Sequence, residues 1–345
     1  MKVLMVIDRM MVGGAEQVFE DLIILMKQHV NLTALTICDS EPEQIERISK
    51  HVPTIELGRQ HKYSFRSLLR CRNILSNYDV VHVHMKHTLR YIQLVKLSIL
   101  TLKVVYHEHH SESELNFLKT IFLFKPLKPN QFIGVKSSVC EWAIRFWKMS
   151  PESVSLLYNL PSRTLVYNHS NNSPSRKYGI LLVGNIKPVK NQSFALQFAQ
   201  KVNEEIHLVG KIQDEKYYQG FRDAEGYKLR TNINSASEVL QDYKFGLCTS
   251  ISESGPLVVL EYFVAGLPFL AHKIGGIAEV LSEYVPEFFI DNLDLDEWIK
   301  RYDELNKNYQ RIPKGLIDEV LEKEFNRETY AQQLMNIYKQ CHKNS

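Results

Sequence analysis

No two cysteines in the chain are spaced as CxxC, and the five present (Cys38, Cys71, Cys140, Cys248, Cys341) are an odd number. A disulfide framework and a cysteine-rich zinc site are therefore not indicated. Cys38 and Cys248 lie inside apolar runs and read as reduced structural thiols of a cytoplasmic protein. Long apolar runs are missing too. The most apolar stretch, Tyr91 to Tyr106, is interrupted by Lys96 and Lys103, so no membrane span is expected. The opening run from Met1 is stopped by Asp8 and Arg9, too soon for a signal peptide, and reads as a strand. There is little excess charge of either sign: Lys and Arg number 42 against 39 Asp and Glu, a formal net charge of +3. Nucleic-acid binding wants denser basic clustering and is not expected. A complete GxGxxG fingerprint is absent, so a nicotinamide cofactor is not supported, and no other cofactor is indicated. No internal repeat is evident, and the only low-complexity tract is a Ser-, Asn- and Pro-rich stretch at 161–177 that reads as a linker.

What is present is a chain of 345 residues, 44% hydrophobic and 23% charged. That length suggests two domains of ordinary size, each with its own core. Lys2 to Ile7, then Gly13-Gly14, then a helical pattern from Val18 to Met26 make the first strand–turn–helix of a doubly wound sheet. The glycine pair either makes a tight turn or leaves bare backbone for a phosphate or acceptor to approach. Further strands are read at 32–38, 54–57, 78–84, 103–110, 131–138 and 154–159, with helices at 66–78 and 139–148.

His82, His84, His87, His107, His109 and His110 gather around the carboxyl ends of two of these strands, where ligands bind in such sheets. His-x-His on a strand puts both rings on one face, which invites a metal reading. The pattern is not His-Glu-x-x-His and no Cys accompanies it, so packed strand-end histidines are the plainer alternative and no metal is expected. The segment 113–129 combines a Phe/Leu/Ile face with flanking lysines. It reads either as a helix packed on the sheet or as a surface helix touching an anionic bilayer.

In the second half, the strand 178–183 leads into Gly184-Asn185-Ile186-Lys187-Pro188-Val189-Lys190 and a helix from Gln192 to Val202. A further strand, 206–209, ends at Gly210. The apolar run Phe245 to Cys248 is followed by a polar loop and a helix from Leu257 to Val264. Strand, polar loop, helix start is the order that presents unpaired backbone N–H groups to an anion. Pro256 suits a first turn. Glu253 at the strand end and Glu261 on the helix are either a cap and a solvated residue, or two carboxylates flanking a phosphate-ready helix start. The second arrangement suggests a sugar or ribose held by its hydroxyls, with a diphosphate on the helix end.

Glu253 and Glu261 with seven residues between them, followed by Ala265-Gly266-Leu267-Pro268 and Gly275-Gly276-Ile277-Ala278-Glu279, resemble the signature of retaining GT-B glycosyltransferases of family 4. The Asp79-Val80-Val81-His82-Val83-His84 strand is similar to one in the same family. The resemblance implies an α/β fold with two Rossmann-like, doubly wound parallel-sheet domains facing across a cleft. Expected boundaries are 1–165 for an acceptor-binding domain and 166–325 for a nucleotide-sugar-binding domain. Residues 326–345 are expected as a helix packing back on the first.

By the same resemblance, His109 sits near the reacting sugar and Glu253 binds the donor sugar. Lys190, with Lys187, Gly184, Gly14 and the backbone of Ser254, Gly255, Pro256 and Leu257, holds the diphosphate. Glu261 takes the ribose hydroxyls, Gly210 borders the base, and Gly13 and His107 lie on the acceptor side. Asn185 stands where the family has an arginine, and an amide cannot offer that bidentate charged fork. Leu160 likewise replaces a family glycine.

The implied activity is transfer of a sugar from a nucleotide-sugar, with uridine the favoured base, to a lipid-linked or polysaccharide acceptor. The implied place is cytoplasmic, with peripheral contact on the inner face of the plasma membrane. A nucleotide-binding but non-catalytic partner protein and a GT-B-shaped epimerase are the alternatives.

Overall fold

Lys2–Ile7 (β1) is buried at all but its first residue. A near-continuous apolar run of this kind is what a strand covered on both faces requires. In the computed structural model, described for residues 1–61, 64–99, 101–109, 128–163, 178–231, 239–308 and 311–343, this strand is an interior strand of a parallel sheet. Its companions are Asn31–Thr36 (β2), Thr54–Glu56 (β3), Val80–His84 (β4), Val104–Glu108 (β5), Gln131–Gly134 (β6) and Val154–Leu156 (β7). The seven strands run in the order β3-β2-β1-β4-β5-β6-β7. A second parallel sheet comprises Tyr178–Val183 (β8), Ile206–Val209 (β9), Tyr227–Arg230 (β10), Tyr243–Cys248 (β11), Phe269–His272 (β12) and Phe289–Ile290 (β13). Its order is β10-β9-β8-β11-β12-β13. These two sheets with their flanking helices are the GT-B fold.

The chain divides into two compact units. One contains Met1–Leu160 and Asn326–Ser345, the other Pro161–Phe325. The first unit therefore takes its last helix, Arg327–Lys343, from the far end of the sequence. That helix buries Tyr330, Leu334 and Tyr338 and packs on β4, β5 and the helix Gly14–Met26.

Several elements differ from the sequence reading for local reasons. The helix expected at 66–78 runs Phe65–Leu75, with Ser64 Oγ accepting from Ser67 N at 3.3 Å. Asn77 Nδ2 then donates to the Asn73 carbonyl at 2.7 Å, a competing bond that closes the last turn. The helical pattern across 324–339 belongs to two helices, Lys314–Glu324 and Arg327–Lys343. Asn326 separates them, its Oδ1 accepting from Thr329 N at 3.0 Å as a cap. The apolar run 91–106 is shared between the helix Lys86–Lys96 and β5.

His110, most of the segment 113–129 and most of the stretch 161–177 lie outside the described residues. Among the described residues, no helix is long and apolar enough to cross a membrane.

Candidate active site

In the second unit, β8 has β9 on one side and β11 on the other. Strand order reverses there, so the crevice beyond the carboxyl ends of β8 and β11 is the expected ligand position. Lys190 reaches it from the short 3-10 turn Pro188–Lys190 that follows β8, and Glu253 from the loop after β11. Their side chains form an ion pair, Nζ to Oε1, at 2.5 Å, with relative exposures of 20% and 16%. Burial works against charge on Lys190. The Glu253 carboxylate outweighs it with Cys248, and the ammonium is held above its ordinary value. The two loops are tied together: Thr249 Oγ1 donates to the carbonyls of Lys190 (3.0 Å) and Asn191 (3.1 Å), and Ile251 N donates to Val189 O at 2.8 Å.

Glycines set how closely these loops approach. A Cβ on Gly184 would stand 3.3 Å from Lys190 Cδ and Cε, so the lysine stem lies across bare backbone. Lys187 is half-buried and opens the turn, its carbonyl accepting from Lys190 N at 3.0 Å. The loop before the helix Leu257–Val264 is fixed from behind. Gly276 N donates to Ser254 O at 2.6 Å. Gly275 has φ +84°, and a Cβ there would come 2.7 Å from Pro256 Cδ, so glycine is required twice over. Ser254 Oγ is buried and makes no hydrogen bond within the chain, a polar group at the start of a helix.

The helix itself is anchored by a residue that sequence reasoning missed. The Tyr262 hydroxyl accepts from Val183 N at 3.2 Å and lies 3.2 Å from Leu181 O and 3.3 Å from Leu247 O. Its ring lies where a Cβ on Gly246 would be, 2.7 Å from Cδ2. A glycine inside an apolar strand was the available signal. Glu261, on the same helix, is 9% exposed.

Asn185 has a structural occupation. Its Oδ1 accepts from Lys211 N at 3.1 Å, and its carbonyl accepts from Gln192 Nε2 at 3.1 Å. The amide thus fixes the backbone just beyond Gly210.

In the first unit the corresponding switch point lies between β1 and β4. Gly13 caps the helix Gly14–Met26 with extended backbone, φ −172°, so no left-handed turn demands glycine there. The nearest atoms to a Cβ on Gly13 would be those of the flexible Glu16 carboxylate, Oε2 at 2.4 Å. Arg59, which the sequence reading did not single out, lies 3.5 Å from Asp8 Oδ1 and 4.5 Å above the Tyr91 ring.

The strand-end histidines form a stack. His82, His84 and His107 are fully buried, and His109 is half-buried at the strand exit. His84 Nδ1 and His109 Nε2 are 2.9 Å apart, and His82 Nδ1 and the Tyr338 hydroxyl 2.7 Å. The His109 amide donates to Glu108 Oε1 at 2.9 Å, and the Tyr106 hydroxyl donates to the other oxygen of the same carboxylate. Burial, with the neighbouring imidazoles, holds His84 and His107 well below the ordinary range, and burial then His109 lowers His82 to about 3. All three are neutral at physiological pH. One ring nitrogen each from His82, His84 and His107 lies within 4.8 Å of the others. His82 and His107, however, are inclined by only 7° with centroids 5.5 Å apart, while His84 is tilted by 34° and 40° from them. Metal ligation needs lone pairs converging on one point at about 2.0–2.1 Å, which the near-parallel pair His82 and His107 does not favour.

Comparison with known proteins agrees with this architecture. The family described as "Glycosyltransferase Family 4" matches residues 12–160, and "Glycosyl transferases group 1" matches residues 167–318. Among solved structures, Anabaena HepE in complex with UDP and glucose superposes with a TM-score of 0.82 at 17% identity, covering 98% of this chain and 99% of that one. The apo form of the lipopolysaccharide outer core galactosyltransferase WaaB gives 0.69 at 15% identity, covering 98% and 99%. A TarM variant from S. aureus in complex with fondaparinux, alpha-GlcNAc-glycerol and UDP gives 0.73 at 10% identity, with both chains fully covered. No curated protein matches the sequence. The fold, the two family matches and the strand-end constellation lead to one assignment: the chain belongs to the family 4, group 1 glycosyltransferases of GT-B fold, and is an enzyme of that class.

Proposed function

We propose that the enzyme transfers a sugar from a UDP-sugar, with retention of configuration, to a lipid-linked or polysaccharide acceptor. The observation that carries this reading is the Lys190–Glu253 pair at the switch point of the second sheet, beside the start of the helix Leu257–Val264. A cation, a helix N-terminus and a carboxylate together suit a diphosphate with a sugar attached.

In this reading Lys190 and Lys187, the backbone of Ser254–Leu257 and the closely packed Gly184 hold the diphosphate, with Gly14 contributing bare backbone. Asn185 positions the Gly210–Lys211 backbone that borders the base. Glu261 takes ribose hydroxyls and Glu253 the donor sugar. His109 hydrogen-bonds a donor-sugar hydroxyl at the reacting centre, and Gly13 and His107 belong to the acceptor side.

As the bond between the anomeric carbon and the phosphate oxygen breaks, its electrons leave with UDP. The Lys190 ammonium and the helix amides stabilise that charge. The acceptor oxygen bonds the same face of the carbon, and its proton passes to the departing phosphate, so no protein base is needed. The uridine donor is favoured because HepE was solved with UDP and glucose and the TarM variant with UDP. An acceptor on a lipid carrier implies action at the cytoplasmic membrane face by peripheral contact with anionic lipid.

The test is thermal stabilisation and turnover with UDP-, GDP- and ADP-sugars, on the parent and on Glu261→Ala. A ligand at a hundred times its Kd adds about 2.7 kcal/mol. A shift with the UDP-sugar that is lost in the variant, with UDP released only when acceptor is added, supports the reading. Binding without turnover would favour the non-catalytic alternative, and UDP-independent behaviour would overturn the donor.

A further inference from the structure

One face of the first sheet is covered by three helices, Phe65–Leu75, Lys86–Lys96 and Ser137–Trp147. Cys71, Ile92 and Val139, one from each, share a core with Val81 and Tyr106 of the strands. Burial of the inner faces leaves the outer ones to solvent, and their composition is unusual for a solvent face. Among the described residues nine large apolar side chains are exposed, and five stand on this layer: Phe65, Leu69, Leu94, Leu97 and Phe146. Apolar residues scattered singly are ordinary on a surface, whereas a group on one layer marks an interaction site. Phe65 is 71% exposed and Leu97, at the end of its helix, 62%. Phe65 and Leu69 are four apart and Leu94 and Leu97 three apart, so each pair lies on one side of its helix.

The charge of the layer is of one sign. The three helices carry seven Lys and Arg against a single acid, Glu141, which pairs with Arg145 at 3.5 Å. Between Glu56 and Glu141 the sequence holds 13 Lys and Arg and only four Asp and Glu, in a chain of net charge +3, so the remainder is net acidic. Of those four, Asp79 accepts from Lys2 N at 2.7 Å and Glu108 is fully buried. Arg70 is engaged by the Leu57 carbonyl at 3.1 Å. Arg66, next to Phe65, and Arg72, three beyond Leu69, are exposed.

We propose that the outer surface of this helical layer is a membrane-docking face: Phe65, Leu69 and Leu97 enter the headgroup region of an anionic bilayer, and Arg66 and Arg72 pair with lipid phosphates. The inference rests on the peripheral contact of the proposed function and gives it a place on the molecule. Basic side chains beside exposed apolar ones suit an anionic interface, because the charge draws the protein in and burial of the apolar groups holds it there. An arginine lays its stem along the acyl boundary and keeps its guanidinium at phosphate level. A second copy of the chain fits less well, since a two-fold pairing would set like charge against like. Duplex nucleic acid would neutralise the arginines and leave Phe65 and Leu97 in water.

The test is flotation of the full chain with vesicles of phosphatidylcholine alone and of phosphatidylcholine mixed with phosphatidylglycerol. The expected result is binding to the mixed vesicles only, weakening as salt is raised. Phe65→Ser/Leu69→Ser and Arg66→Gln/Arg72→Gln are each expected to bind the mixed vesicles on the order of tenfold less tightly. Their Tm should stay close to the parent's, because the altered side chains are exposed. Phe65→Trp is expected to be quenched by brominated lipid beyond what the parent's own three tryptophans show.

Parental binding in both double variants, or a Phe65→Trp quenched no more than the parent, overturns the face and leaves the peripheral contact standing. A parent that floats with neither vesicle overturns the contact and the face together. A parental dimer that Phe65→Ser/Leu69→Ser dissociates would assign the face to a second copy. Duplex DNA binding lost in Arg66→Gln/Arg72→Gln would assign it to nucleic acid. Either result overturns the inference.

Discussion

Gly210 stands so close to Gly184 that no side chain fits between them. A Cβ on Gly210 would lie 2.4 Å from the Gly184 carbonyl oxygen and 2.9 Å from Asn185 N, at a φ of +153°. The loops that leave β8 and β9 therefore meet backbone to backbone, and Asn185 closes the contact by accepting from Lys211 N. Gly210→Ala is expected to cost about 3 kcal/mol, since both a rigid clash and an unfavourable backbone conformation oppose it. Denaturant unfolding reads the loss, and weaker UDP binding should accompany it. A variant as stable as the parent would show that the loops part easily.

Lys190 and Glu253 make the second prediction. Lys190→Met is expected to lower kcat on the order of a hundred- to a thousandfold, as loss of a preorganised charge at a departing anion does. It also leaves Glu253 facing the diphosphate uncompensated, so donor affinity should fall as well. The sign of the pH effect follows from the raised value of Lys190. The pair's stabilisation is complete below the ordinary lysine value of 10.5 and is lost as pH rises through the higher folded value. Urea titrations between pH 8 and 11 on the parent and Lys190→Met should differ most at the low end.

The buried histidines set acid stability. In the unfolded chain they take up protons as pH falls below 6.5, while in the folded chain His82 resists down to about 3. Burial holds His84 and His107 neutral in the same direction. Stability is then full above pH 6.5 and declines below it, by up to about 4 kcal/mol per pH unit where all three contribute. His107→Leu removes one of them without breaking a hydrogen bond within the chain, since neither ring nitrogen of His107 has one. It should move the acid-unfolding midpoint to lower pH. An unmoved midpoint would locate the acid sensitivity elsewhere.

The near-parallel setting of His82 and His107 predicts indifference to chelators. Dialysis against EDTA is expected to leave Tm and turnover unchanged, and an equivalent of Zn2+ should not raise Tm. Zinc retained at one per chain through that dialysis would show that the rings converge after all.

Much of the fold could be read in the sequence because its signals are local. Tyr178–Val183 and Leu257–Val264 have the observed bounds, the first as an apolar run ended by glycine, the second as an apolar run opened by Pro256. The loops carrying Lys190 and Glu253 were likewise visible from glycine, proline and charge. What was not legible depends on partners distant in sequence. Tyr262 looks like one more apolar helix residue until its hydroxyl meets Val183 and Leu181, some eighty positions away. Asn185 reads as a missing arginine, yet its side chain is committed to Lys211. The boundary between Glu324 and Arg327 depends on one asparagine cap inside an otherwise continuous helical pattern.

The first unit takes both its beginning and its last helix from the chain, with Pro161–Phe325 lying between them in sequence. During synthesis, β4 and β5 must therefore wait, with one face incomplete, until the whole second unit has emerged. Tyr338, the partner of His82, is made only after the whole of Pro161–Phe325. Premature termination anywhere after Phe325 would thus damage the unit made first and spare the one made last. Any chaperone engaged by the nascent chain would meet exposed surface on the amino-terminal sheet until the helix Arg327–Lys343 emerged.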